Sequence, residues 1–218
     1  MKAITSLTAL VLGASVAAMA MAQDTTQTPP PAEAGAGAAA AVSGTAPAAE
    51  PAADAAPAGG GDAPVEMAAG ETVLPNGMDI TATTEENGRW YNAEGVPTYK
   101  IDGNVVDFAT FNGYRRYHAE CHVCHGPDGE GSTYAPALKN SVLKMDYYQF
   151  QEVVASGRQG TNSVMPAFAT NKNVWCYVDD IYVYLLAHGT GAIPRGRPAE
   201  RADKSEAYTA QEDACMSM

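Results

Sequence analysis

Apolar side chains recur at helical spacing through the second half of the chain. Val174, Tyr177, Val178, Ile181, Tyr184, Leu185 and His188 share one stripe if each residue turns about 100°, which predicts a helix over 174–188 that stops at Gly189. Tyr147, Phe150, Val153 and Val154 predict a second helix over 147–156, with Asp146 as its cap and Gly157 as its terminator. A third, over 108–120, follows Asp107. Gly113, Tyr117 and Cys121 lie four apart on it, and a glycine on that face admits another helix at close range. The 174–188 helix is therefore expected to cross it near Gly113 and Tyr117, with Phe111 and Tyr114 extending the buried surface. Upstream, Asp102-Gly103 between two short β-prone runs, 96–101 and 104–106, predicts a hairpin or an irregular packed arm.

The N-terminal third has no such periodicity. Lys2, an apolar stretch over 4–19 and Ala20-Met21-Ala22 form an export signal with its cleavage site. The stretch nearly suffices to span a bilayer, so an uncleaved anchor is the competing reading, and only then is a membrane involved. Residues 23–70 are almost wholly Ala, Pro, Gly, Thr and acids, with too little apolar surface to offset chain entropy. The expected organisation is a signal peptide (1–22), a disordered linker (23–70), an N-terminal arm (71–105), a folded domain (106–190) and a C-terminal tail (191–218) strapped to the last helix. The net charge is −12 overall, and 19 acids against 12 bases leave −7 from Glu71 onward. Nucleic acid and anionic membrane are poor partners for such a chain; a basic or dipolar protein surface suits it.

The chemistry centres on Cys121-His122-Val123-Cys124-His125. Two thiols two residues apart with a histidine adjoining is the pattern that attaches haem c: each cysteine adds to a vinyl group and the imidazole becomes the proximal iron ligand. A zinc site of His118, Cys121, Cys124 and His125 is the bland alternative, but export and the downstream Met-Pro argue against it. The glycine-rich loop 126–131 must bend sharply, and Pro136 beyond it can offer a carbonyl to the free nitrogen of His125, fixing the ring. Met165, 40 residues after His125 on a loop stiffened by Pro166, is the candidate sixth ligand, with Met145, His118 and His188 as alternatives. His188, in the last turn of its helix, is otherwise read as a favourable helix-end charge. Cys176 falls opposite the apolar stripe, with Asp180, Val183 and Ala187. In an exported chain whose only further cysteine outside the Cys121–Cys124 motif is Cys215, a Cys176–Cys215 disulfide is expected to strap the tail to that outer face.

Together these residues resemble the class I c-type cytochromes over about 106–190: Gly113-x-x-x-Tyr117-x-x-x-Cys121-x-x-Cys124-His125, then Pro136 and Leu138, Met165-Pro166, and Ile181-x-x-Tyr184. Trp90-Tyr91, the stretch 105–125, Trp175-Cys176-Tyr177 and Cys215 bring the resemblance nearer to the four-cysteine cytochromes of methanol metabolism. The resemblance implies an all-α class I fold around one covalent haem c, preceded by an irregular or β-hairpin arm, with an exposed haem edge as electron port. It further implies a periplasmic carrier reduced by a pyrroloquinoline-quinone methanol or other alcohol dehydrogenase and oxidised by a terminal oxidase or another cytochrome. Such a protein is not an enzyme, since filled axial positions leave substrate no place on the iron. The competing function is a single-haem peroxidase or gas-binding protein with a labile Met165.

Overall fold

The computed structural model describes residues 65–68, 70–160 and 163–218. The expected signal peptide and nearly all of the 23–70 linker lie outside the described residues.

The arm is more ordered than one hairpin. Strands β1 (Thr84–Glu86) and β2 (Arg89–Tyr91) pair antiparallel, and β3 (Pro97–Thr98) completes the sheet. Asn87 and Gly88 close the β1–β2 hairpin with φ values of +52° and +74°, the left-handed pair that a two-residue turn matching the strand twist requires. The expected hairpin is present as β4 (Ile101–Asp102) and β5 (Val105–Val106), with its turn one residue later than the Asp-Gly reading. Asp102 is still paired with Val105, so the loop is Gly103-Asn104. Leu74, Ile80, Val96 and Thr98 are buried, with the Thr98 hydroxyl donating to the Ile80 carbonyl at 2.7 Å. The arm is thus an integral layer of the core.

Helix α1 (Phe108–Glu120) starts where expected: one Asp107 oxygen accepts from Thr110 N and the other from Lys100 N, both at 2.8 Å. One-turn helices α2 (His122–His125) and α3 (Leu138–Ser141) flank the glycine-rich loop. Helix α4 (Tyr147–Ser156) carries a full capping box between Asp146 and Gln149. Strands β6 (Arg158–Gln159) and β7 (Val164–Met165) pair in a segment read from sequence as open loop.

The expected 174–188 helix is two pieces, α5 (Lys172–Trp175), capped by the Asn171 side chain, and α6 (Val178–Gly189). Tyr177 lies between them at φ −130°, outside helical geometry. Cys176 therefore caps α5 and does not sit on an outer face of α6. Nor is that face open: Asp180, Val183 and Ala187 are as buried as the predicted stripe. A helix apolar nearly all round must be covered on every side, and the arm and the tail supply the cover. The tail holds strand β8 (Glu200–Arg201), parallel to β5, and helix α7 (Glu206–Ser217), started by the Ser205 side chain accepting from Tyr208 N.

Helices α1 and α6 cross at Gly113, where a Cβ would fall 2.6 Å from the carbonyl carbon of Asp180 and 2.7 Å from Tyr184 Cβ. Beside the crossing, the wholly buried Asp180 carboxylate pairs with Arg89 Nε at 2.7 Å and accepts from Asn112 Nδ2 at 2.8 Å and from the Tyr208 hydroxyl. One carboxylate thus ties β2, α1, α6 and α7 together. A bond between Cys176 and Cys215, with Cα atoms 5.7 Å apart, fastens α7 to the end of α5.

Candidate functional site

The attachment segment hangs from the C-terminus of α1. Cys121 N continues the helical ladder to the Tyr117 carbonyl at 2.8 Å, and the single turn of α2 then carries Cys124 and His125. Both cysteines are free thiols, Cys121 half-buried and Cys124 exposed. Burial pushes the Cys121 thiol up to about 12, so it stands protonated at neutral pH.

His125 is buried and its ring is fixed. Nδ1 lies 3.0 Å from the Pro136 carbonyl oxygen, which can only accept, so Nδ1 carries the proton and Nε2 is left with its lone pair. Burial holds the imidazole below its ordinary value in spite of that bond, which keeps it in the neutral form that binds a metal. The backbone behind it is equally constrained. The buried Tyr117 hydroxyl donates to the Gly126 carbonyl at 2.6 Å and reaches that of His125 at 3.3 Å, while Gly131 N donates to the His125 carbonyl at 2.8 Å.

Pro136 is exposed; Leu138, first residue of α3, is half-buried against the core. Met165 in β7 is likewise half-buried against the core, and its loop is tied to α4 by Phe168 N donating to the Val154 carbonyl at 3.0 Å. The structure gathers Cys121, Cys124, His125 and Pro136 into one hydrogen-bonded unit. Among the described residues, no hydrogen bond or ion pair joins the 163–168 segment to it. Met145 lies elsewhere, lining a cavity of about 360 Å³ with Val153 and Gly157.

His118 and His188 are committed differently. His118 Nδ1 bonds the Tyr114 carbonyl at 2.9 Å and its ring stacks on His122. Among the described residues no three His, Cys, Asp or Glu side chains converge to hold a metal ion, the cluster of His118 with the motif included. His188 is buried, and burial holds it below the ordinary imidazole value, so it is neutral and not the helix-end charge expected from its position. Both rings face Asp128, a buried carboxylate in the glycine-rich loop that nothing in the sequence reading singled out. The turn sequence Pro127-Asp128-Gly129 was the available signal, and Asp128 adopts φ +57° there.

The donor set suits haem c: two reduced thiols within one turn and a neutral imidazole presenting Nε2. With the crossed helices behind, the site defines a class I c-type cytochrome carrying one covalent haem c. The comparisons give the family. The chain belongs to the cytochrome c family: it is 69% identical over 153 residues to cytochrome c-553I of Paracoccus denitrificans, covering 68% of each chain. It is 42% identical over 92 residues to cytochrome c-555 of Methylococcus capsulatus, covering 42% of this chain and 72% of that one. Residues 109–185 match the family described as cytochrome c oxidase, cbb3-type, subunit III. Among solved structures, the c-type cytochrome XoxG from Methylobacterium extorquens AM1 is similar at a TM-score of 0.59 and 50% identity, covering 66% of this chain and 96% of that one. Like its relatives, the chain is an electron carrier. Among the described residues no helix is long and apolar enough to cross a membrane.

Proposed function

We propose that this cytochrome is a periplasmic one-electron shuttle, reduced by a quinoprotein dehydrogenase of the methanol or another alcohol class and oxidised by a terminal oxidase or a second cytochrome. The observation that carries the reading is the His125–Pro136 bond, which orients a neutral imidazole beside two free thiols. In this reading Cys121 and Cys124 anchor the haem, His125 and Met165 are its axial ligands, Leu138 packs beside it, and the bound haem supplies a one-electron couple. Residues 1–22 direct export and are removed, and 23–70 are a linker ahead of the arm.

The protein's own part is orientation. Pro136 holds the His125 ring and raises its basicity as a ligand, while Tyr117 and Gly131 hold its backbone. Val123, 75% exposed between the two cysteines, leaves an apolar point on the surface where a partner approaches the attachment site. With Met165 on the iron the chain has no catalytic role. The acidic balance favours a donor with a basic docking face, so the reduction rate should fall as salt rises.

The test is to mix the ferric protein with candidate dehydrogenases and their substrates and follow the haem bands. Reduction by a methanol or other alcohol quinoprotein dehydrogenase at rates that fall with ionic strength is expected. Failure with all of these, and success with an unrelated dehydrogenase, would overturn the donor assignment.

A further inference from the structure

Asp128 stands behind the attachment segment, walled in by three parts of the fold: α1, α6 and the tail. Its carboxylate accepts from the Tyr184 hydroxyl at 3.0 Å, from Gly196 N at 3.2 Å and from Arg195 Nε at 3.4 Å. Two imidazoles stop just short of it, His118 Nε2 at 3.5 Å and His188 Nε2 at 3.9 Å. The second is unusual. The His188 side chain is only 3% exposed, and its Nε2 is buried with no hydrogen-bond partner. A ring nitrogen sealed in this way without a partner is costly and asks for a use.

The use lies in what faces it. We infer that His188 and Asp128 form an internal proton-binding site whose occupancy follows the oxidation state of the protein. A second ring proton turns the neutral imidazole into a cation whose Nε2–H faces a carboxylate, and the pair then needs only a small approach to bond. The inference rests on the carrier reading, because the electron is what shifts the proton. The path between the two is short. The His188 ring packs edge-on against Tyr184 at 5.0 Å between centroids, and Tyr184 lies 5.6 Å from Tyr117, whose hydroxyl holds the His125 and Gly126 carbonyls. Across so few buried rings a unit change of charge is weakly screened.

The charges around His188 set the direction. Asp128 and Glu130 of the loop favour its protonation; Lys139 of α3, His118 of α1 and burial oppose it, and Arg195 of the tail faces the same Asp128 carboxylate. Tyr184, on its own helix, is neutral and already donates to Asp128. The balance leaves His188 neutral, and the extra positive charge of the oxidised state adds to the opposition. When the donor delivers one electron, one proton from solvent binds the His188 ring, and both depart on oxidation. His118, half-exposed beside Asp128, marks the route to solvent.

The test is a spectroelectrochemical titration of the intact protein from about pH 5 to about pH 8, spanning the ordinary imidazole range. The midpoint potential should fall as pH rises, by up to about 59 mV for each tenfold change in proton activity in a one-electron couple. His188→Gln should flatten that slope and His118→Gln should keep it. A flat wild-type profile, a slope unchanged in His188→Gln, or one lost only in His118→Gln overturns the inference. Should His188→Gln fail to fold, the His188 ring-proton resonance in the wild type decides: titration at a higher pH in the reduced state is expected, and identical midpoints in both states overturn the site. Haem bands that cycle normally beside a flat profile remove this inference alone; bands that do not cycle remove the carrier reading as well.

Discussion

Arg89 reaches from the N-terminal arm to within 2.7 Å of Asp180, a residue with no solvent exposure at the middle of the main helix crossing. Breaking a buried pair by neutralising one partner leaves the other charged and stranded, at about 3–5 kcal/mol. Arg89→Met should therefore lower the urea midpoint sharply. Arg89→Met combined with Asp180→Asn should recover part of the loss, because no lone charge remains. A double variant as weak as the sum of the singles would mean the two side chains act independently.

Gly113→Ala puts a methyl group where the Asp180 backbone and Tyr184 Cβ already stand. Both neighbours belong to one rigid helix, so α1 and α6 must separate. Overpacking of this kind costs about 1–3 kcal/mol or more. Thermal unfolding followed by circular dichroism should show a clear drop, and an unchanged melting temperature would show that the crossing is looser than its geometry.

Cys215→Ser frees α7 from α5 by opening a link that spans 39 residues in sequence. The chain-entropy argument assigns such a link about 4 kcal/mol. The variant should lose most of that in denaturant titration yet keep its haem absorbance, since the Tyr208–Asp180 and Tyr177–Glu212 hydrogen bonds still seat α7. Loss of the haem bands would show that α7 also shapes the site.

Met165→Ala should abolish the weak near-infrared band of sulfur-to-iron charge transfer and lower the reduction potential. The ferrous variant should bind carbon monoxide where the parent does not. Survival of the band would reassign the sixth ligand, with Met145 the next thioether to replace.

Acid should weaken the protein in two stages. Burial holds His188 below the unfolded imidazole value near 6.5, so above that value neither state is protonated there. As pH falls through 6.5 the unfolded chain takes up its proton first, and stability declines until the folded histidine titrates as well. Asp128 adds a second loss at lower pH. Burial pushes its carboxyl up, but Tyr184, His188, Gly196 and Arg195 outweigh this and hold it below the ordinary carboxylate value. The urea midpoint measured against pH should show both declines, and His188→Gln should reduce the first, His125 being held down by burial as well.

Local signals made the helices readable. Asp107 and Asp146 mark their own helix starts, and Gly113 with Tyr117 foretells the crossing. The haem-binding segment was legible because its chemistry is contiguous in sequence. What sequence concealed was long-range: Arg89 and Asp180 are 91 residues apart, Asn112 and Tyr208 are 96 apart, and no periodicity connects them. The stripe on α6 misled for the same reason, because the elements burying Asp180, Val183 and Ala187 arrive from both ends of the chain. Two local signals were nonetheless available. Asn87-Gly88 is the strongest two-residue hairpin signal there is, and Ser205 three residues before Tyr208 is a helix cap.

The seating of α7 also bears on how the protein matures. Four cysteines admit three complete pairings, and every one of them would consume the thiols that haem attachment needs. Hydrogen bonds from Tyr208 to Asp180 and from Tyr177 to Glu212 bring Cys215 against Cys176, while Cys121 and Cys124 stay reduced on a separate turn. Helix docking thereby does the work of a sorting step: it removes the two competing sulfurs from circulation and leaves the correct pair for the cofactor.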